Sequence, residues 1–305
     1  MSKLPGKMTR KQHWVLQFYL RHFADSSRQF HAYNINSGVF YRTKVEDVCS
    51  KRDLYEVKYS DMEADSDDRY YAQNLIEAKL SEDESRISVP YTRLLRCCRD
   101  ATLEGDTFRR GRQAVCELVS NLIVRHPATM LADRNRAREG SSMLLEDVVL
   151  TEEEKALLDW SGWNGDHKAL AELSAVATMF FSEDGSIPVN RIRETFLEKH
   201  FSILEAPIGS GFVTTSMPMF IIGSEDDSYD FDFAYMPLSS KYAALFTSDS
   251  SLESFHRLNF PHVELMNRLL LLNCEHWDVA LSRENGPLKH AVRDWKRSIP
   301  GYSVK

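Results

Sequence analysis

The sequence predicts an α+β protein with a small helix-and-hairpin unit at its N-terminus, a helical middle and an antiparallel sheet toward its C-terminus. Three observations carry this reading. Residues 11–23, KQHWVLQFYLRHF, are apolar on most faces of a helix. Apolar residues recur at three and four through residues 68–127. From residue 205 onward the pattern changes to alternation, prolines and turn residues.

Taken in order, residues 11–23 predict a helix that wants burial, interrupted by His13, Gln17 and Arg21 on a single stripe. RQFHAYNINSGVFYRT holds two β-prone runs around residues 34–38, the turn chemistry of a hairpin. DMEADSDD reads as an acidic loop. YYAQNLIEAKL, VPYTRLLRCC and GRQAVCELVSNLIVRHP then predict helices punctuated by Pro90 and Gly105. Residues 128–146 are largely polar and read as a long connection or lid. TEEEKALLDW predicts a helix capped by Thr151, with carboxylates in the first turn where the helix dipole favours them. HKALAELSAVATMFF and RIRETFLEKH continue the helical section. EAPIGSGFVTTSMPMFIIG and SYDFDFAYMPLSSKYAALFTS predict three to five antiparallel strands. A helix over PHVELMNRLLLLN and a closing strand at WDVALS follow. The organisation expected is one domain with sub-regions 1–60, 66–200 and 203–285, without internal repeats.

Composition bounds the chemistry. The chain has 305 residues, 43% of them hydrophobic, enough for a sizeable core. No run approaches the ~18 apolar residues of a membrane span, and the basic N-terminus is not followed by the apolar core of a leader. A cytoplasmic protein without membrane contact is expected. The five cysteines have no C-x-x-C spacing, which predicts free buried thiols. A net charge of −7 argues against coating nucleic acid by bulk charge. Charge is uneven, however. Residues 93–138 hold ten arginines and no lysine against five carboxylates. Arginine alone suits bidentate phosphate recognition, and equally suits ion pairs between helices.

Among single residues, His13 is a candidate base, ligand or proton donor, because a free imidazole titrates near neutrality, or else a core imidazole bonded to Gln17 or backbone. Glu77 follows Ile76 on an apolar helix and must be paired, hydrated or protonated there. Arg125, just before a helix-ending proline, is read as pairing with Glu77 or facing an anionic ligand. EDDSYDFD at residues 225–232 lacks EF-hand spacing and reads as a hairpin loop. GSGF at 209–212 is too short for a phosphate loop and reads as a β-turn.

HWVLQFYLRHF followed by a hairpin, VEDVCSKRDLYEV, the Ile76–Glu77 dipeptide, LIVRHP, the TTSMP turn and MPLSS together resemble the bacterial family catalogued as domain of unknown function 4238. The likeness spans most of the chain, and H-x-x-x-Q-F-x-L-x-x-F is its most specific element. It implies a fold and a site rather than an activity. Where such proteins carry a T-S-D-N-P-like turn, this chain has Thr214, Thr215, Ser216, Met217 and Pro218, so a serine hydroxyl stands where the resemblance implies a carboxylate. A turn beside proline is expected to accept aspartate at 216. Two functions are expected. One is a hydrolase acting on a phosphate-containing substrate, nuclease-like, with His13, Gln17 and Glu77 as its catalytic centre. Arg109, Arg110, Arg125 and Ser216 would then touch substrate, with room for a divalent metal. The other is a non-catalytic module binding nucleic acid or a partner protein.

Overall fold

The computed structural model describes residues 10–58, 70–71, 74–144, 167–181, 188–223, 231–274 and 278–299, and its class is α+β as expected. The acidic run at 61–68, the helix start at Thr151 and residues 225–230 of the EDDSYDFD run lie outside the described residues.

In chain order the N-terminal elements are β1 (Lys11–His13), α1 (Gln17–Leu20), β2 (Gln29–Asn34), β3 (Phe40–Lys44), β4 (Ser50–Arg52), β5 (Val57–Lys58) and β6 (Tyr70–Tyr71). The helical middle comprises α2 (Leu75–Arg99), α3 (Gly105–Arg125), α4 (Pro127–Leu144), α5 (His167–Phe181) and α6 (Pro188–Glu198). The C-terminal part holds β7 (His200–Glu205), β8 (Thr214–Thr215), β9 (Phe220–Ile222), β10 (Phe233–Pro237), β11 (Tyr242–Thr247), β12 (Phe255–Arg257), α7 (Phe260–Leu272), β13 (Val279–Ser282) and α8 (Asn285–Ser298). The chain divides into two compact units, one of residues 1–12, 51–83 and 124–190, the other of 13–50, 84–123 and 191–305.

The larger unit contains two sheets. One runs β12-β7-β11-β10-β9, antiparallel except where β12 lies parallel to β7. YAALFT of β11 is buried along its whole length, which explains a continuous apolar run in place of alternation. The other sheet runs β3-β2-β13-β8, all antiparallel. Here the expected hairpin appears: Gly38, at φ +70, donates its N–H to Asn34 O at 2.9 Å. Its second neighbour comes from the far end of the chain, as Tyr33 pairs with Ala280 and Ala32 with Leu281. Tyr33, Phe212, Tyr235, Val263, Leu270, Ala280 and Leu288 form the core of this unit. Helix α8, which the sequence reading did not foresee, buries Leu288, Ala291 and Val292 at the spacing of one face.

Three expectations are corrected. The opening helix shrinks to one α-turn and the 3-10 turn Arg21–Phe23, because Trp14 N–H bonds Cys49 O at 3.0 Å and Leu16 is extended, at ψ 131. Tertiary pairing outweighs helical periodicity there, yet Val15, Leu16, Tyr19, Leu20 and Phe23 are buried as the apolar pattern requires. Pro90 does not end a helix but lies inside α2, four residues after the exposed Arg86. Residues 128–146 are no loose lid, since α4 covers most of them.

In the smaller unit α4 packs on α5, with Arg138 Nε 2.5 Å and Arg134 Nε 3.4 Å from the buried Glu172 carboxylate. Gln12, fully buried, donates to Glu56 Oε1 at 2.9 Å and accepts Tyr55 N–H at 2.8 Å. Burial raises the Glu56 pKa above the usual carboxylate value, against the Gln12 and Asn74 hydrogen bonds that lower it.

Two tests follow from this packing. A Cβ on Gly111 in α3 would stand 2.5 Å from Leu94 Cβ, whereas Gly140 in α4 has nothing within 4 Å. Helix propensity alone favours alanine at both by up to ~1 kcal/mol, but overpacking costs about 1–3 kcal/mol. Thermal melting should therefore show Gly111→Ala destabilised and Gly140→Ala stabilised.

The second test concerns pH. Burial, with the neighbouring Arg21 charge, lowers the pKa of His22 from 6.5 to about 4. The unfolded chain takes up that proton near pH 6.5 and the folded chain only near pH 4, so this contribution is complete above pH 6.5 and lost as pH falls to about 4. Urea titrations of wild type and His22→Gln should differ in slope across that window, by on the order of 3 kcal/mol over its width.

Candidate functional site

His13 closes β1, and Gln17 opens α1 one turn later. The His13 ring Nε2 is 3.2 Å from Glu46 O, so an Nε2–H tautomer donates there. Gln17 Nε2 lies 3.5 Å from both ring nitrogens, at the outer limit of a hydrogen bond to either. Arg21 donates to Gln17 Oε1 at 3.4 Å. The three polar residues of the opening segment thus meet as one chain of contacts, although only Gln17 is on an α-helix. His13 and Gln17 are half-buried and Arg21 is exposed.

Behind this edge lies a buried polar seam. Trp14 Nε1 donates to Ser216 O at 3.1 Å, and Ser216 Oγ donates to Asp278 Oδ1 at 2.5 Å while accepting Val279 N–H at 3.2 Å. Thr214 Oγ1 is 2.7 Å from Tyr19 Oη, which donates onward to Pro237 O at 2.9 Å. Burial raises the Tyr19 phenol well above its ordinary pKa. The thiols of Cys49 and Cys274 are pushed far up by burial and then by the Asp278 charge, and burial raises Cys98 and Cys116 to about 12. At neutral pH these four cysteines are protonated and are poor nucleophiles.

The expected site residues are distributed over both units. Glu77 belongs to the smaller unit, half-buried in the first turn of α2 where the helix dipole favours a carboxylate. Arg125 is in that unit too, buried, its Nε donating to Tyr55 Oη at 3.3 Å, so its guanidinium serves the interior and is not displayed to a ligand. Ser216 is 2% exposed, which overturns the expectation of a permissive turn. Its hydroxyl meets the carboxylate of Asp278, so the spot where the resemblance implies an acid is supplied from the residue before β13. Among the described residues, no group of three or more His, Cys, Asp and Glu side chains is gathered as a metal site.

Arg109 and Arg110 behave differently. Both project from the first turns of α3, with side chains 76% and 68% exposed, and they share one carboxylate, Asp106. Arg93 and Arg96 are exposed on the last turns of α2, and Arg99 is paired with Asp100 at 2.8 Å. Arg112 is turned inward, donating to Leu197 O at 2.7 Å and Lys199 O at 2.6 Å past the end of α6.

A second feature went unrecognised in the sequence. The β-turn expected over GSGF at 209–212 falls two residues earlier, at 207–210, with Ser210 N–H bonded to Pro207 O at 3.1 Å. It also lines a cavity of about 340 Å³ together with Ser240, Lys241, Ser282, Arg283 and Glu284. The two cations are distant in sequence from the turn and from each other, so no local motif announces them. A further cavity of about 250 Å³ is apolar, lined by Met217, Met219, Phe196, Phe220 and Phe231 among others.

The Ser216–Asp278 contact can be tested directly. Ser216→Asp sets a second carboxylate against Asp278 in a buried seam and should cost roughly 3 kcal/mol or more. Ser216→Ala, which leaves the Val279 N–H and the carboxylate short of one partner, should cost about 1–3 kcal/mol. The exchange Ser216→Asp with Asp278→Ser should recover a measurable share of the first loss in denaturant titrations, because it restores one acid facing one hydroxyl.

No curated protein and no solved structure is detectably similar to the chain. The family model described as Protein of unknown function (DUF4238) matches residues 11–284, from the start of β1 through β13. By that match, the chain belongs to the DUF4238 family.

Proposed function

We propose that the chain is a non-catalytic module that binds nucleic acid through the arginine face at the end of α2 and the start of α3. One observation carries this reading. Residues 93–110 hold five arginines and no lysine against three carboxylates, and the arginines are exposed. Asp106 is shared between two of them, and among the described residues Arg93 has no acidic partner. Exposed ion pairs of this kind hold by about 0–1 kcal/mol, so a phosphate can replace Asp106 at little cost. Each contact releases counterions from the polymer, and the guanidinium fork matches phosphate oxygens in pairs. The net −7 of the chain confines attraction to this face.

The hydrolase reading rests on a different observation, the approach of Gln17 to the half-buried His13 ring at 3.5 Å. Its test is cleavage of labelled DNA and RNA with magnesium or manganese present. Wild-type cleavage abolished in His13→Ala would favour it over the binding reading.

For the binding reading, the measurement is affinity for a labelled single strand and duplex between ~50 and ~200 mM salt, where several phosphate contacts cost orders of magnitude. Wild type should bind at the low end and lose affinity steeply. Arg109→Glu with Arg110→Glu should abolish binding and flatten the salt slope, with thermal stability unchanged. Binding indifferent to that reversal, or none at ~50 mM, would overturn the proposal.

A further inference from the structure

The cavity beside the 207–210 turn is built unlike an ordinary surface dimple. Gly209 is held at φ +83, and a Cβ on Gly211 would press to 3.2 Å from Ser240 O, so both positions favour glycine and the two backbones pack closely. Phe212 N–H bonds Ser240 O at 2.9 Å and Ser240 N–H bonds His22 O at 3.3 Å, which fixes the two loops against each other. Among the described residues, the N–H groups of Gly209 and Gly211 and the hydroxyls of Ser210 and Ser240 have no partner. Arg283, exposed on the lining, has no carboxylate partner among the described residues either. Lys241 holds Glu205 Oε1 at 2.9 Å with one of its three protons and can direct another into the cavity.

We propose that this cavity binds a small hydroxylated phosphate monoester, its phosphate gripped by Arg283, Lys241, the bare amides of Gly209 and Gly211, and the hydroxyls of Ser210 and Ser240. Two cations and four neutral donors suit three phosphate oxygens carrying nearly two charges better than they suit a carboxylate. About 340 Å³ falls at the small end of ligand pockets and leaves room for more than the phosphate. Glu284, on the same lining, disfavours a bare anion and suits the hydroxyl groups of the ester's carbon part. The site shares no residue with the arginine face and does not rest on that proposal.

The experiment is calorimetric titration of the intact chain with ribose 5-phosphate, inorganic phosphate and ribose. Ribose 5-phosphate should bind, inorganic phosphate more weakly and ribose not at all. Arg283→Gln should weaken ribose 5-phosphate by roughly tenfold or more, the scale of a lost charge-assisted bond, with an unchanged melting temperature because Arg283 supports nothing else. Arg283→Lys should fall between the two, keeping the charge and losing the fork. Glu284→Gln should tighten inorganic phosphate. Absence of binding by both phosphates, or an Arg283→Gln chain that binds ribose 5-phosphate as wild type does, would overturn the site. Inorganic phosphate binding more tightly than the ester would overturn the assignment to a monoester.

Discussion

Strand β13 is the constraint on which the larger unit depends. Its four residues pair with β2 on one side and β8 on the other, joining residues 29–34 to 279–282 and 214–215. Just before it, Asp278 accepts the Ser216 hydroxyl and its backbone carbonyl accepts Ile35 N–H at 3.1 Å, so the entry to the strand is bonded to both neighbours. Charge-assisted bonds of this type contribute about 1.5–3 kcal/mol, and leaving the buried carboxylate unpartnered costs more than that. Trp14 is then seated on Ser216 O, and the strand's far end delivers Ser282, Arg283 and Glu284 to the cavity beside the 207–210 turn. One short strand thereby positions both the His13 edge and the cationic lining.

How much of this was legible in the sequence depends on the range over which each signal acts. The hairpin over 29–44, helix α7 and β13 are local patterns, and each appears where the residues predicted it. The opening segment misled because Trp14, Val15 and Leu16 carry helical periodicity but are held extended by a bond to Cys49, a partner the sequence does not reveal. Ser216 misled for the same reason. Its setting is defined by Asp278, 62 residues away, so turn chemistry alone suggested a tolerance that burial removes. Family membership was legible because it rests on short motifs strung along the chain, a local signal repeated. The cavity lining was not, since a glycine turn, a lysine and an arginine from three separate segments become neighbours only through the sheets.

The chemistry of the interior and that of the surface pull apart. Burial silences the groups that usually suggest catalysis: the buried thiols are pushed up, the Tyr19 and Tyr91 phenols likewise, and His22 is held neutral. On the surface of the same unit, the arginines of the α2–α3 turns and Arg283 are exposed. Desolvation thus keeps the titratable groups of this interior neutral, while charge is carried at the surface.

The smaller unit shows a related economy in a helix pair. Helix α4 has few apolar residues to bury, which is why its stretch of sequence resembled a loop. Its docking on α5 relies on Glu172, a carboxylate 3% exposed and contacted by Arg134 and Arg138. Dehydrating one carboxylate costs several kcal/mol, and one guanidinium inside the contact would add a comparable cost. The arrangement limits that second cost, because the Arg138 side chain remains 54% exposed while Arg134, at 17%, also reaches Glu56 O at 3.4 Å. Such a pair adds little net stability over an apolar contact, but it rejects any register in which Glu172 meets no cation. Polar α4 is specified by where its arginines must fall, a demand that hydrophobic periodicity cannot express.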